Sequence, residues 1–364
     1  MYRLSMASLN LVENTPDTAV GHDQLSVQPR RATPPVEAPP RNEALDAVRF
    51  FAAAAVVLVH SVESPALGGW VNLFRFAVPF YLFASMYYQA ISFQRRPDQP
   101  LKPYVVKRFR RLYGPFLAWG AIYLAARNVK RLTMIDYPPV KLSLSMLWGG
   151  TEYHLWFLPF LLVASIVAAV ICRAILRWPA TRWPAVAVAI SLLLFVAFSP
   201  QPRGMSDHFL SRTYALWQMW WALTSALAGM AFAWIVVFGS TPLRRVPSIV
   251  GAGGIVLACW MLLQQALHGW MMLPRALAGL GCMLAALAPW HGPAVRALAR
   301  LGRFGYGIYL SHVLVVEMIR ATMHHMGFDP SIWLDLLVFA LGFAGSISIA
   351  KLLSRNPKLA WLNG

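Results

Sequence analysis

The stretch that decides the fold is residues 44–61, which read ALDAVRFFAAAAVVLVHS. It is apolar and long enough to cross a bilayer as a helix, yet it carries an arginine, Arg49, and a histidine, His60. At about 100° per residue these side chains lie on one helical face, roughly 16 Å apart along the axis. An ionisable group inside a bilayer costs several kcal/mol unless it faces a partner or a wet cavity, so the pair predicts a polar functional track.

The composition of the whole chain indicates a membrane protein. Hydrophobic residues make up 58% of the 364 residues, charged residues 13%, and the mean hydropathy is +0.53. These values exclude an ordinary soluble domain. Apolar stretches of about 20 residues between polar or proline-rich breaks predict an all-α polytopic membrane protein with ten transmembrane helices. The predicted spans are 44–62, 71–93, 112–128, 154–176, 183–199, 213–238, 247–267, 271–290, 303–323 and 331–352.

These spans form one predicted membrane domain, residues 43–353, between two tails. Residues 1–42 are rich in proline and lack an apolar core, so we expect a disordered tail and no cleavable signal peptide. Residues 354–364 form a short second tail. If the N-terminus is placed in the cytoplasm, the segments on the cytoplasmic side hold more than twice as many lysines and arginines as the outer loops. The positive-inside rule therefore puts both termini in the cytoplasm.

The net charge of +18 follows from this topology and from attraction to anionic membrane lipids. No nucleic-acid partner is needed to explain it. The three cysteines, Cys172, Cys259 and Cys282, lie in apolar stretches without the spacing of metal ligands. We therefore expect them to be packing residues, and we predict no metal site.

A basic run precedes the third predicted span. Residues 107–111 contain four cations, Lys107, Arg108, Arg110 and Arg111, around one phenylalanine. At a helix entrance such a run can bind several phosphates, because the planar guanidinium and the N-terminal amides both favour dense negative charge. The alternative is an ordinary positive-inside anchor.

Five motifs in order resemble those of the acyltransferase family 3 membrane proteins, over nearly all of residues 43–352. They are Leu45 and Asp46 with Arg49 and His60, then residues 75–80, 107–116, 154–158 and 305–312. The chain departs from the usual family residues at Ala47, at Ala84 and Ser85, and at Gly305. These departures concern the shape of the substrate cavity more than the chemistry, because none removes an ionisable residue from the track.

The resemblance implies transfer of an acetyl group from cytoplasmic acetyl-CoA to a sugar hydroxyl on the periplasmic side of a bacterial inner membrane. The acceptor would be an exported or lipid-linked polysaccharide. Because residues 75–80 are similar to the polysaccharide-modifying branch, an exopolysaccharide acetyltransferase of the xanthan or succinoglycan type is the narrower prediction. Membrane lipids and a polysaccharide assembly complex are further candidate partners.

With the N-terminus inside, Arg49 lies near the inner end of its helix and His60 near the outer end. We predict that His60 is the general base that deprotonates the acceptor hydroxyl, and that Arg49 holds the pantetheine or pyrophosphate part of CoA. Glu63, three residues after His60, is expected to share its face and orient the imidazole. The alternative for Glu63 is an interfacial carboxylate.

The remaining site residues follow from the matched motifs. The predicted CoA-binding residues are Lys107, Arg108, Arg110, Arg111 and His312. The predicted acceptor-binding residues are Arg75, His154, Trp156 and Tyr309. For His312 the alternative is a hydrogen bond to a neighbouring helix. Three tryptophans, Trp217, Trp220 and Trp221, form either a sugar-stacking wall or ordinary bundle packing.

Two other classes of function stay open. A transporter or flippase of a lipid-linked saccharide would use Arg49 and His60 as substrate-binding or proton-relay groups. A scaffold for polysaccharide assembly would need neither. Binding of CoA discriminates, because a transporter has no reason to bind it.

Overall fold

A computed structural model describes residues 42–133, 143–199, 213–239, 247–265, 272–288 and 290–364. Within these ranges the chain forms helices and no strand, which confirms the all-α class. The predicted disordered tail lies outside the described residues, except for its last residue, Asn42. The helices are α1 (Glu43–Ser61), α2 (Pro65–Gly68), α3 (Ala77–Arg95), α4 (Leu101–Thr133), α5 (Met146–Gly149), α6 (Phe157–Arg177), α7 (Arg182–Phe198), α8 (Tyr214–Phe238), α9 (Pro247–Gln265), α10 (Met272–Leu287), α11 (Pro293–Gly302), α12 (Gly305–His325) and α13 (Ile332–Arg355).

Among the described residues, five helices are long and apolar enough to cross a membrane: α1, α6, α7 with its preceding turn, α8 and α13. Two shorter apolar segments, Val250–Leu262 and Leu273–Leu287, lie in α9 and α10. The other predicted spans fall on α3, α4 and α12, which carry more polar and charged residues. Each predicted span therefore coincides with a helix, while the count of ten spans and the orientation of the termini stay predictions.

Helix α1 begins where the sequence provides a cap. The side chain of Asn42 accepts a hydrogen bond from the Leu45 amide over 3.1 Å, and Glu43 and Asp46 lie in the first turn, where negative charge is favoured. The helix then packs against α3, α10, α11, α12 and α13. Its buried alanines allow the close approach that membrane helices need. A Cβ on Gly302 of α11 would collide with the Asp46 carbonyl oxygen, so the two backbones touch there.

The structure corrects the position of the basic run. The third span was expected to begin at Leu112, with residues 107–111 at its entrance, but α4 begins at Leu101. Lysine and arginine are good helix formers, and proline is tolerated in a first turn, so the helix extends through Pro103 and the basic run. The amides of these residues are used inside the helix, and only the side chains remain for phosphate.

The predicted tail of residues 354–364 is folded onto the bundle. After α13 ends at Arg355, a 3-10 turn at Ala360–Asn363 returns to the helices. The Asn363 side-chain amide donates to the Ala350 carbonyl oxygen over 2.8 Å, and the Trp119 indole donates to the Leu362 carbonyl oxygen over 3.1 Å. The end of the described chain therefore packs against α4 and α13.

Candidate active site

The inner end of the polar track is Arg49, in the second turn of α1. Its guanidinium pairs with the Asp46 carboxylate at 2.8 Å and lies over the Tyr88 ring, 5.1 Å from the ring centroid. The Tyr81 hydroxyl donates to the Arg49 carbonyl oxygen over 3.1 Å. A Cβ on Gly305 would lie 3.2 Å from that same hydroxyl. Gly305 at the start of α12 therefore lies beside this contact between Tyr81 and Arg49.

The other end of the track is His60, in the last turn of α1. Its ring lies 5.1 Å from the ring of His312 on α12 and 5.1 Å from the ring of Tyr153, measured between centroids. The Arg320 guanidinium donates to the His60 carbonyl oxygen over 3.2 Å. The His60 ring is therefore held at the meeting point of α1, α12 and the loop before α6.

Three histidines that the sequence assigned to separate roles lie together. The ring of His154 is 5.0 Å from that of His312, which is in turn 5.1 Å from that of His60. His312 Nδ1 lies 2.7 Å from the Tyr309 carbonyl oxygen. Because a carbonyl only accepts, Nδ1 carries the hydrogen and Nε2 of the neutral ring is an acceptor. Among the described residues, Nε2 of His312 and both ring nitrogens of His154 are buried without a hydrogen-bond partner.

Tyrosines surround this cluster, and two of them were missed in the sequence. The Tyr123 hydroxyl donates to the Leu310 carbonyl oxygen over 2.8 Å and accepts from the Leu314 amide over 3.2 Å, and its ring is 5.2 Å from that of His154. Tyr153 packs on His60. Tyr309 was expected to bind the acceptor, and its hydroxyl donates to the His154 carbonyl oxygen. A tyrosine in an apolar span was the available signal for Tyr123.

A cavity of about 620 Å³ opens beside His60. The structure brings to its wall all four predicted acceptor-binding residues. These are Arg75, His154, Trp156 and Tyr309. The wall also includes Arg275, which lies in the predicted span 271–290 and had no predicted role. Of the three tryptophans considered for a sugar-stacking wall, Trp221 lines the cavity and its two neighbours do not.

Glu63 does not lie where the prediction required. Helix α1 ends at Ser61, so Glu63 lies beyond the helix and does not continue the face of His60. Its carboxylate is 2.9 Å from Arg320 Nε and 3.3 Å from His324 Nε2. The expectation of a shared helical face is wrong, because three-residue spacing places side chains together only while the helix continues.

Charged pairs lie around the part of α12 that is near His60. The Glu152 carboxylate accepts a hydrogen bond from Arg127 Nε over 2.5 Å, and the Glu317 carboxylate lies 3.4 Å from Lys130 Nζ. Burial raises the pKa of the Glu152 carboxyl, and the positive charge of Arg127 opposes that rise. These pairs join α4, α12 and the loop before α6.

The basic run divides between two surfaces. Arg108 Nη2 donates to the Ser85 hydroxyl of α3 over 2.8 Å. Arg111 is an electrostatic neighbour of Arg108 and Arg49. Lys107, Arg110 and Arg111 are exposed. None of the four lines the cavity beside His60, so the site has two parts, a cationic group at the Arg49 end and a cavity at the His60 end.

A comparison with protein-family models gives a match over most of the chain. The model of a family described as an acyltransferase domain matches residues 42–354. A serine/alanine racemase of Enterococcus gallinarum is 26% identical over 135 residues, which are 35% of this chain and 19% of the relative. An amino-acid racemase of Enterococcus faecalis is 26% identical over 146 residues, 37% of this chain and 20% of the relative. The chain thus matches about a fifth of the length of these relatives. No solved structure matches.

Proposed function

Because this chain belongs to the acyltransferase family 3, we propose that it transfers an acetyl group from cytoplasmic acetyl-CoA to a sugar hydroxyl of an exported or lipid-linked polysaccharide. The location proposed for the reaction is a bacterial inner membrane, with an exopolysaccharide of the xanthan type as the narrower acceptor. The observation that carries the proposal is the position of His60 on the wall of a 620 Å³ cavity. The cationic cluster at Arg49 lies roughly 16 Å away along the same helix.

His60 is the general base in this reaction. It takes the proton of the acceptor hydroxyl while the oxygen attacks the thioester carbonyl carbon, and the carbon–sulfur bond breaks. The proton then passes from His60 to the departing CoA thiolate, so the products are the acetyl ester and free CoA. An alcohol and a thioester need little beyond a positioned base and a donor for the developing oxyanion.

Two neighbouring histidines support this role. The ring of His312 adjoins that of His60, and the ring of His154 adjoins that of His312. With Nδ1–H fixed on the Tyr309 carbonyl oxygen, His312 presents an acceptor nitrogen next to the ring of His60. We assign it the positioning of His60 rather than the CoA contact expected from the sequence. Substituting His312 should then lower kcat while leaving the KM for acetyl-CoA nearly unchanged.

The phosphates of CoA are proposed to bind at the Arg49 end. Arg49, Arg108 and Arg111 are neighbours there, and Asp46 is the acidic residue that pairs with Arg49. This leaves a surplus of positive charge that suits phosphate. Arg49 and His60 are separated by roughly 16 Å along α1, so the pantetheine arm would extend between them. Lys107 and Arg110, which are exposed, would add attraction without direct contact.

The test is the O-acetyl content of the exported polysaccharide in a deletion strain. The strain is complemented with the wild type, with His60→Ala, or with His325→Ala, and equal membrane expression is verified. His325 is the matched control, because it is exposed and does not line the cavity. We expect acetylation to be lost in the deletion strain, restored by the wild type and by His325→Ala, and not restored by His60→Ala, with polymer yield constant.

The same strains separate the transferase from the flippase. If acetylation per unit polymer is unchanged in the deletion strain while export is lost, the transferase proposal is refuted and transport of a lipid-linked saccharide replaces it. Binding of acetyl-CoA to the purified protein is the second readout, and its absence would also contradict the proposal.

A further inference from the structure

Helix α11 is short and lies at the Arg49 end of the bundle. Its ten residues, Pro293–Gly302, give a length of about 15 Å, half the thickness of a bilayer core, so this helix does not cross a membrane. The Gly302 backbone touches the Asp46 carbonyl oxygen, and the Asp46 side chain pairs with Arg49. Helix α11 therefore packs beside the first turns of α1, at the end of the bundle that the sequence places in the cytoplasm.

Three arginines form one face of α11, which we call the basic face. Arg296, Arg300 and Arg303 follow one another at spacings of four and three residues, and at 100° per residue they fall within an arc of roughly 60°. Arg303 is the C-terminal cap and keeps helical backbone angles, so it continues this face. All three arginines are exposed. Arg300 Nε donates to the Arg296 carbonyl oxygen over 3.3 Å, and the Arg303 guanidinium lies 4.7 Å from the Phe304 ring centroid. Neither contact neutralises a positive charge.

The surrounding chain supplies no carboxylate to the basic face. In the part of the chain that the structure describes, none of the three arginines forms an ion pair with an aspartate or glutamate. Residues 290–303 contain neither residue type. Helix α11 packs against α1, whose first turn contains Glu43 and Asp46. Asp46 is paired with Arg49, and Glu43 is in no ion pair of the described chain. Three neighbouring positive charges therefore face outward together.

The opposite side of α11 is apolar and only partly covered by protein. Val295, Leu298 and Leu301 point away from the basic face and are half-buried. Trp290, just before the helix, is 52% exposed. Tryptophan is favoured at the level of the lipid headgroups. A basic face opposite a partly uncovered apolar face is typical of a helix that lies in the membrane interface.

We propose that the basic face of α11 binds the headgroups of anionic phospholipids at the membrane surface. The planar guanidinium offers two parallel donors to a phosphate, and each arginine near an anionic surface strengthens the attraction about fivefold. The phosphates of CoA are the other anions expected at this end of the bundle. However, the electrostatic neighbours of Arg111 are Arg108, Arg49 and Tyr306, so the proposed CoA cluster forms without α11. Lipid binding at the basic face does not depend on the transferase reaction.

A photo-crosslinker on α11 tests this inference. Ala297 is exposed on α11, next in sequence to Arg296, and Ala297→p-benzoylphenylalanine places the crosslinker there. The purified full chain is placed in nanodiscs of phosphatidylcholine in which phosphatidylglycerol with the same acyl chains makes up about one fifth of the lipid. Mass spectrometry then gives the ratio of the two lipid adducts. We expect the ratio of phosphatidylglycerol to phosphatidylcholine adducts to be about fivefold above their ratio in the disc. An adduct ratio equal to that of the disc, or the absence of lipid adducts, would overturn the proposal.

Variants assign the preference to the basic face. Arg296→Gln, Arg300→Gln and Arg303→Gln combined should bring the adduct ratio to within about twofold of the ratio in the disc. The control replaces three other exposed cations with the same spacing, at and beyond the end of α13, and removes the same total charge. These cations are Lys351, Arg355 and Lys358, each changed to glutamine. The control should keep the wild-type ratio, and an equal loss in both triple variants would overturn the assignment to α11. If the triple variant of α11 does not fold, the single variants decide, and each should lower the ratio.

Acetyl-CoA binding, measured on the same preparations, separates this inference from the proposed function. If the triple variant of α11 loses acetyl-CoA binding but keeps the wild-type adduct ratio, the basic face belongs to the CoA site and the lipid proposal is overturned. If the wild type does not bind acetyl-CoA, the transferase proposal fails, whereas a phosphatidylglycerol preference that depends on the basic face still supports the lipid site.

Discussion

Replacing Arg320 by alanine tests whether charge holds the His60 end of α1 in place. The guanidinium donates to the His60 carbonyl oxygen over 3.2 Å, pairs with Glu63 at 2.9 Å, and lies 3.8 Å from Glu317. The Arg320 side chain is only 14% exposed, whereas the Glu63 side chain is 38% exposed. Arg320 therefore links three points near the cavity beside His60, and it does not line that cavity.

The expected magnitude follows from these contacts. A hydrogen bond from a charged donor is worth about 1.5–3 kcal/mol. The ion pair with the half-exposed Glu63 adds roughly 0–1 kcal/mol after solvent screening. A loss of about 2 kcal/mol, expressed in the transition state through a displaced His60, lowers kcat roughly 30-fold. The KM for acetyl-CoA should change little, because Arg320 is not part of the cationic cluster at Arg49.

The assay is transfer of radiolabelled acetyl from acetyl-CoA to polysaccharide in membrane vesicles of the deletion strain. Lys351→Ala is the control, since Lys351 is exposed on α13 and makes no contact with the cavity wall. Glu63→Ala should lower kcat less than Arg320→Ala does, because it leaves the bond to the His60 carbonyl oxygen. A kcat for Arg320→Ala within twofold of the wild type, at equal expression, would refute the reasoning.

Three further predictions concern single contacts. Ser85→Ala removes the hydrogen-bond partner of Arg108. It should raise the KM for acetyl-CoA about fivefold with kcat unchanged, as measured by initial rates. An unchanged KM would show that this hydrogen bond is not needed to position Arg108. Gly302→Ala should sharply reduce monodisperse protein in size-exclusion chromatography, because its Cβ collides with backbone, whereas Gly253→Ala, whose Cβ meets nothing, should be neutral; equal yields would contradict the close packing of α11. Tyr123→Phe leaves the Leu310 carbonyl oxygen unpaired and should lower the midpoint of thermal unfolding, and wild-type thermal stability would argue against that bond.

Much of the fold was predictable because the bilayer restricts the choices. Every predicted apolar stretch coincides with a helix, since a chain in lipid must satisfy its backbone hydrogen bonds internally. Boundaries were less predictable where charge interrupts the pattern. The start of α4 was placed at Leu112 instead of Leu101, because hydropathy does not detect a helical segment interrupted by arginine and lysine.

The candidate site was likewise predictable only in part. The placement of Arg49 and His60 on one face was readable, because both lie in one regular helix. The shared helical face predicted for Glu63 and His60 is wrong, because the helix ends at Ser61, and the local sequence does not predict the pairing of Glu63 with Arg320. The position of Arg275 on the cavity wall was not predicted, because its approach to the cavity depends on how α10 packs.

The sequence by itself determined that this protein is an all-α membrane protein of an acyltransferase family, with a polar track in its first helix. Only the tertiary structure decided that His154, His312 and His60 lie in one cluster, that Glu63 pairs with Arg320, and that Arg75 and Arg275 line one cavity. The physical reason is the sequence distance over which each kind of signal acts. Hydropathy and helical periodicity act over a few turns, whereas contacts between helices depend on how side chains distant in sequence fit together in the packed bundle.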